Sequence, residues 1–153
     1  MPSIERVRHE PDWYEPYRIS LAVRANGLIF VSGQAGIDET GRTVGPGDVE
    51  AQARQAFANL ATVLGEAGAT LADVVKVTIM VTDMSSLDVI IKLRGEYFAE
   101  PYPADTLLRV AGLAQSDWLI EIDAIALDPA AARREPSPPA KAQLKTREWY
   151  WSL

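Results

Sequence analysis

Thr70-Leu71-Ala72-Asp73-Val74-Val75-Lys76-Val77-Thr78-Ile79-Met80-Val81-Thr82 is where two periodicities meet. Thr70 and Asp73 stand three residues apart, the spacing at which a hydroxyl and a carboxylate cap each other's backbone N–H groups. The stretch therefore opens on a capping turn. Beyond it Val75, Val77, Ile79 and Val81 alternate with Lys76, Thr78, Met80 and Thr82, which predicts a strand with one buried face. Upstream, from Asp48, the period changes: Ala53, Phe57, Leu60 and Leu64 fall on one helical face with Ala56 and Val63 beside them, and Gly65 or Gly68 closes the helix. Downstream, Ser85-Ser86-Leu87-Asp88 caps a second helix running to about Phe98, its faces marked by Leu87, Ile90, Ile91, Arg94, Tyr97 and Phe98.

The flanks add strands. Tyr17 to Arg24 reads as short and extended, and Ala25-Asn26-Gly27 as a tight turn into Leu28–Gln34. Asp38-Glu39-Thr40-Gly41 is a further turn. After Pro101-Tyr102-Pro103 come two strands, Asp105–Leu113 and Trp118–Leu127, joined by Gln115-Ser116-Asp117. The order is strands, helix, strand, helix, strands. Two helices with one apolar stripe each cover one face of a single mixed β-sheet, so the predicted class is α+β. In the last strand Leu119 and Ile125 are apolar, and so are Ile120 and Ile122 of the other parity. The second sheet face therefore needs a cover, and self-association is the simplest one.

With 153 residues and 16.7 kDa the chain is one domain's worth of sequence. It divides into an N-terminal arm (1–16), a body (17–128) and a C-terminal extension (129–153). Residues 1–128 hold 19 acidic and 10 basic side chains, a net of −9, whereas residues 129–153 hold 2 and 5, a net of +3. An acidic body repels phosphate backbones and argues against a nucleic-acid partner. There is no cysteine, so disulfides and thiolate chemistry are excluded, and His9 is the only histidine. His9 reads as a surface residue. Glu121 and Asp123 share a strand face but make a poor metal pair without further ligands, so no metal is expected. No apolar run is long enough to span a membrane, and the first ten residues are not patterned as a signal peptide; a cytoplasmic protein without a membrane partner is expected. In the extension, Pro129, Pro136, Pro138 and Pro139 suggest an extended spacer. Trp149-Tyr150-Trp151 beyond it is expected to dock near a subunit-interface cleft. Trp118 reads as packing, and Trp13 and Tyr14 either line a cleft or fasten the arm.

An ordered series of short motifs resembles a known family. Val31-Ser32-Gly33-Gln34, Gln52 to Leu60, Val74 to Thr78, Thr82-Asp83-Met84, Pro103-Ala104 and Ile120 to Ala126 follow in the order and spacing of the reactive intermediate deaminase (RidA or YjgF-like) proteins. The resemblance covers roughly residues 17–127. It implies a homotrimer whose sheets form a central barrel, with clefts between adjacent subunits. It also implies hydrolysis of imines or enamines of small metabolites to a carbonyl compound and ammonia, with no metal or organic cofactor.

Residue by residue, the resemblance places Tyr17 and Ser32 in the ligand pocket, with Gly33 allowing close backbone approach. It places Glu121 beside the attacking water, where one carboxylate can both take and return a proton. Deaminating members follow Pro103-Ala104 with an arginine that grips a substrate carboxylate; this chain has Asp105 there. A bare carboxylate about 4 Å from another costs roughly 4 kcal/mol at an effective dielectric near 20, which weighs against an ordinary 2-imino acid as substrate. Three readings of Asp105 stand: a solvated turn residue, a partner of Glu121 in binding a cationic or neutral nitrogen ligand, or a site whose cation has moved to Arg109 or, less favourably, Arg18. A non-catalytic trimer that binds a small metabolite or regulates a partner is the alternative to the enzyme.

Overall fold

A computed structural model describes residues 3–133; the aromatic end of the extension, and with it the expected docking of Trp149, Tyr150 and Trp151, lies outside the described residues. The strands are β1 (Glu5–Val7), β2 (Ala22–Ala25), β3 (Leu28–Ala35), β4 (Val74–Val81), β5 (Ala104–Arg109) and β6 (Ile120–Leu127); the helices are α1 (Val49–Glu66), α2 (Leu87–Tyr97) and the short α3 (Pro129–Ala132). The strands form one sheet in the order β1-β2-β3-β6-β4-β5. Every pairing is antiparallel except β4 with β5, which α2 joins by a crossover. The predicted class, a single mixed sheet with two helices packed on one face, is the class observed. Among the described residues no helix is long and apolar enough to cross a membrane.

α1 begins where Asp48 accepts a hydrogen bond from Ala51 N at 3.0 Å. Ala53, Ala56, Phe57, Leu60, Val63 and Leu64 are all buried against the sheet, the face read from the sequence. Past its end Gly68 takes a left-handed φ of 76°. Thr70 and Asp73 form the reciprocal capping box. Phe57 stacks on Tyr97 with ring centroids 4.3 Å apart, which holds α1 to the end of α2.

Several boundaries depart from the sequence reading, each for a local reason. In β4 the buried set is Val74, Val77, Ile79 and Val81, while Val75 is 41% exposed. A bulge between Val74 and Lys76 against β6 inserts one residue and reverses the parity at the strand's start. Tyr17 does not begin a strand: Pro16 seeds a 3-10 turn over Glu15–Tyr17, Arg18 turns out of it at φ 60°, and β2 starts at Ala22. α2 begins only at Leu87, after a 3-10 turn capped by Asp83 rather than by a serine. β5 ends at Arg109, not Leu113, and β6 starts at Ile120, not Trp118.

The residues expected as an arm, 1–16, contribute to the sheet and the core. β1 pairs with β2, and Trp13 and Tyr14 are buried. Trp13 Nε1 donates to Gln34 Oε1 at 3.2 Å, and His9 Nδ1 lies 2.8 Å from Glu66 Oε1 on α1. The sheet face away from the helices is half open. Phe30, Leu108 and Leu127 stand 40%, 45% and 52% exposed on it or at its margin.

Candidate functional site

The site begins with an irregularity in the β3–β6 ladder. Val31 pairs with Ala124 but Gln34 pairs with Ile122, so three steps along β3 oppose two along β6. The extra residue places Ser32 and Gly33 out of register with β6 and opens a gap in the sheet. Glu121, opposite Ala35 on β3 and Met80 on β4, fills that gap with its carboxylate. A Cβ built on Gly33 would lie 1.9 Å from Glu121 Oε1. Gly33 is therefore glycine because the carboxylate occupies the space a side chain would need.

Around Glu121 lies a cavity of about 280 Å³, with Tyr14, Tyr17, Ile19, Ser32, Ala114 and Trp118 in its walls. Two of its hydroxyls are engaged with backbone, while the buried Trp118 Nε1 has no hydrogen-bond partner among the described residues. Tyr14 donates its hydroxyl proton to the Gly33 carbonyl at 2.5 Å, and burial pushes its phenol up to about 12. Ser32 donates to the Ser20 carbonyl at 2.6 Å. Glu121 has no cationic partner among the described residues. Burial first, and the like charge of Asp123 second, raise its pKa above the usual carboxylate range. The arrangement is a half-buried carboxylate in an apolar chamber, poised to accept and return a proton.

Asp105 lies elsewhere in the chain. It sits near the start of β5 in a second cavity of about 580 Å³, between α2 and β5. Arg94 of α2 donates to it from Nε at 2.8 Å and from Nη2 at 2.5 Å. The bare negative charge assumed in the sequence reading is thus neutralised by a bidentate partner. Arg109 is at the far end of β5, where its Nε donates to the Thr82 carbonyl at 3.4 Å. Neither it nor Arg18 lines the Glu121 cavity.

The sequence model of the family described as Endoribonuclease L-PSP matches residues 7–128. The chain belongs to that family, the RidA/YjgF proteins. A RutC family protein of Synechocystis is 41% identical over 110 residues, covering 71% of this chain and 84% of that protein. The mouse 2-iminobutanoate/2-iminopropanoate deaminase is 36% identical over 112 residues, covering 73% and 81%. Among solved structures, RidA from an Antarctic Psychrobacter superposes with a TM-score of 0.68 at 34% identity, covering 71% of this chain and 87% of that one. Within this RidA-family chain, Tyr17, Ser32, Gly33 and Glu121 line one cavity, whereas Asp105 and Arg109 lie apart from it and from each other. Two residues of interest had no single role assigned from the sequence. Tyr14 was ambiguous between lining and fastening, and it does both. Arg94 carried no signal beyond its place on α2, since its pairing with Asp105 exists only once the α2–β5 crossover is built.

Proposed function

We propose that this RidA-family chain hydrolyses the C=N bond of an imine, or of the enamine in equilibrium with it, on a small metabolite, with Glu121 as the proton carrier. The carrying observation is the uncompensated carboxylate held in the gap at Gly33, inside a largely apolar chamber where the Tyr14 and Ser32 hydroxyls donate to backbone carbonyls. Glu121 takes a proton from water as the oxygen adds to the imine carbon, then returns it to the nitrogen. Glu121 then moves the carbinolamine's hydroxyl proton to the nitrogen in the same way, so that the C–N bond breaks as the carbonyl forms and ammonia leaves. No metal or organic cofactor is needed for these steps. The deaminase named among the relatives supports the reaction class. Although the family's description names an endoribonuclease, the net charge of −9 over residues 1–128 opposes phosphate binding.

The working unit in this reading is a cytoplasmic homotrimer, in which the open sheet face carrying Phe30 and Leu108 is covered by neighbouring copies. Light scattering should give about three times the 16.7 kDa chain mass; a single-chain mass at micromolar concentration would remove the trimer. For the chemistry, an imine such as iminopropionate is generated in situ by an amino-acid oxidase and its hydrolysis followed. Glu121→Gln should lower the protein-dependent rate by about a hundredfold or more. A second reading, a non-catalytic metabolite binder, is favoured by the hydroxyls of Tyr14 and Ser32, which are both committed to backbone carbonyls rather than to a ligand. It predicts ligand binding without turnover in the wild-type protein.

A further inference from the structure

The chamber at Glu121 is lined by three aromatic rings and one charge, and the charge is negative. Tyr14 and Tyr17 meet at 84° with ring centroids 6.4 Å apart, so they form two adjoining walls of a corner. Trp118 supplies a third aromatic wall. It is held from both sides in sequence by the wholly buried Gln52 of α1, which donates to the Asp117 carbonyl at 2.9 Å and accepts from Leu119 N at 2.8 Å. Tyr14 is buried and tied to the Gly33 carbonyl, whereas Tyr17 is 55% exposed and lies towards the mouth. Aromatic rings turn a negative face towards a cation, and the carboxylate among them adds a full charge. Asp123, two positions along β6 on the same strand face, and the net −9 of residues 1–128 add to the attraction for a cation. The lining gives an anion no grip. Among the described residues it holds no arginine or lysine, its Tyr14 and Ser32 hydroxyls donate to backbone, and the Trp118 indole N–H is closed off from solvent.

We infer that the Glu121 cavity takes its imine as the iminium cation of a simple amine, with no carboxylate on the reacting carbon, the cationic nitrogen facing Glu121 and the corner of Tyr14 and Tyr17. The inference rests on the proposed hydrolysis and names its substrate class. In the balanced step one iminium and one water give one aldehyde and one ammonium. The water oxygen bonds to the carbon and stays as the carbonyl, the C–N bond breaks, and both water protons pass through Glu121 to the nitrogen.

Two imines that differ only by a carboxylate serve as substrates, one formed in situ from phenylalanine by an amino-acid oxidase, the other from phenethylamine by an amine oxidase. With the uncatalysed rates subtracted, the protein should accelerate hydrolysis of the phenethylamine imine about tenfold more than that of the phenylalanine imine. Calorimetry on stable analogues reads the same preference without turnover. Phenethylammonium should bind about tenfold more tightly than phenethyl alcohol, which lacks the charge, and than phenylalanine, which adds the carboxylate. Glu121→Gln should bring the ammonium and the alcohol to within about twofold of each other. Tyr17→Leu should weaken the ammonium several-fold and Tyr17→Phe should keep it, since the ring and not the hydroxyl faces the cation; thermal melts should certify that the variants are folded. Equal binding of ammonium and alcohol, or faster hydrolysis of the phenylalanine imine, overturns the inference and leaves the Glu121 reading intact. Hydrolysis of neither imine removes that reading and the substrate class with it. Turnover of the phenethylamine imine that is lost in Glu121→Gln, together with the ammonium preference, keeps both.

Discussion

The two cavities of this chain treat a carboxylate in opposite ways. At the β3 bulge, Glu121 is enclosed by aromatic and small residues, faces the like charge of Asp123 and has no cation beside it. Between α2 and β5, Asp105 meets Arg94 in a two-point pair whose members keep about a quarter of their side chains exposed, at 22% and 27%. Burial without a partner raises the proton affinity of the first carboxylate, which suits it to take up and return a proton. The second is paired at two points with a guanidinium, which suits it to hold another side chain in place. Sequence alone makes both residues acidic; their surroundings give them different work.

The sharpest way to break this contrast is to take away the space that Glu121 uses. Gly33→Ala would place a methyl group 1.9 Å from the Glu121 oxygen, so the carboxylate must leave the gap. The φ of Gly33 lies outside the range that disfavours other residues, so the backbone accepts alanine. Imine hydrolysis should fall by about a hundredfold, nearly as far as in Glu121→Gln, with the far-ultraviolet circular dichroism unchanged; full activity in Gly33→Ala would break the link between bulge and carboxylate.

A smaller effect concerns stability. Because the folded protein holds the Glu121 proton more tightly than the unfolded chain, this group favours the fold below its ordinary pKa of 4.5 and that contribution is lost as pH rises through the raised value. As pH rises the wild type comes to carry a charged, half-buried carboxylate that Glu121→Gln lacks. The melting temperature of Glu121→Gln relative to wild type should be higher at pH 7 than at pH 4. A difference that is the same at both pH values would mean that Glu121 is not desolvated in the fold.

The smallest effect belongs to the cavity between α2 and β5. Arg94 and Asp105 are partly solvated, so breaking the pair with Arg94→Gln should cost less than about 1 kcal/mol in denaturant unfolding. A loss well beyond that would make the pair a structural clamp rather than a solvated ion pair.

What the sequence could convey follows from how local each feature is. α1 was legible in full because its cap at Asp48 and its stripe from Ala53 to Leu64 lie within one element. The start of β4 was misread at Val75 because the bulge at Val74–Lys76 is a property of its pairing with β6, not of its own pattern. β1 has only three residues, too few for an alternation to register, and the burial of Trp13 and Tyr14 depends on contacts with β3 some twenty positions away. The same division holds at the site. Tyr17, Ser32, Gly33 and Glu121 could be named from motifs and do share a cavity. The partner of Asp105 could not be named, since Arg94 reaches it only across the crossover that makes β4 and β5 parallel.

Whether Glu121 works as the proton carrier is tested most directly by the pH dependence of imine hydrolysis, measured for wild type and Glu121→Gln with the uncatalysed rate subtracted at each pH. The account predicts a protein-dependent rate that falls on the acid side with a midpoint above 4.5, the ordinary value of a glutamate, and a Glu121→Gln rate that stays near zero throughout. A wild-type rate that is indistinguishable from buffer, or an acid limb that survives unchanged in Glu121→Gln, would contradict it.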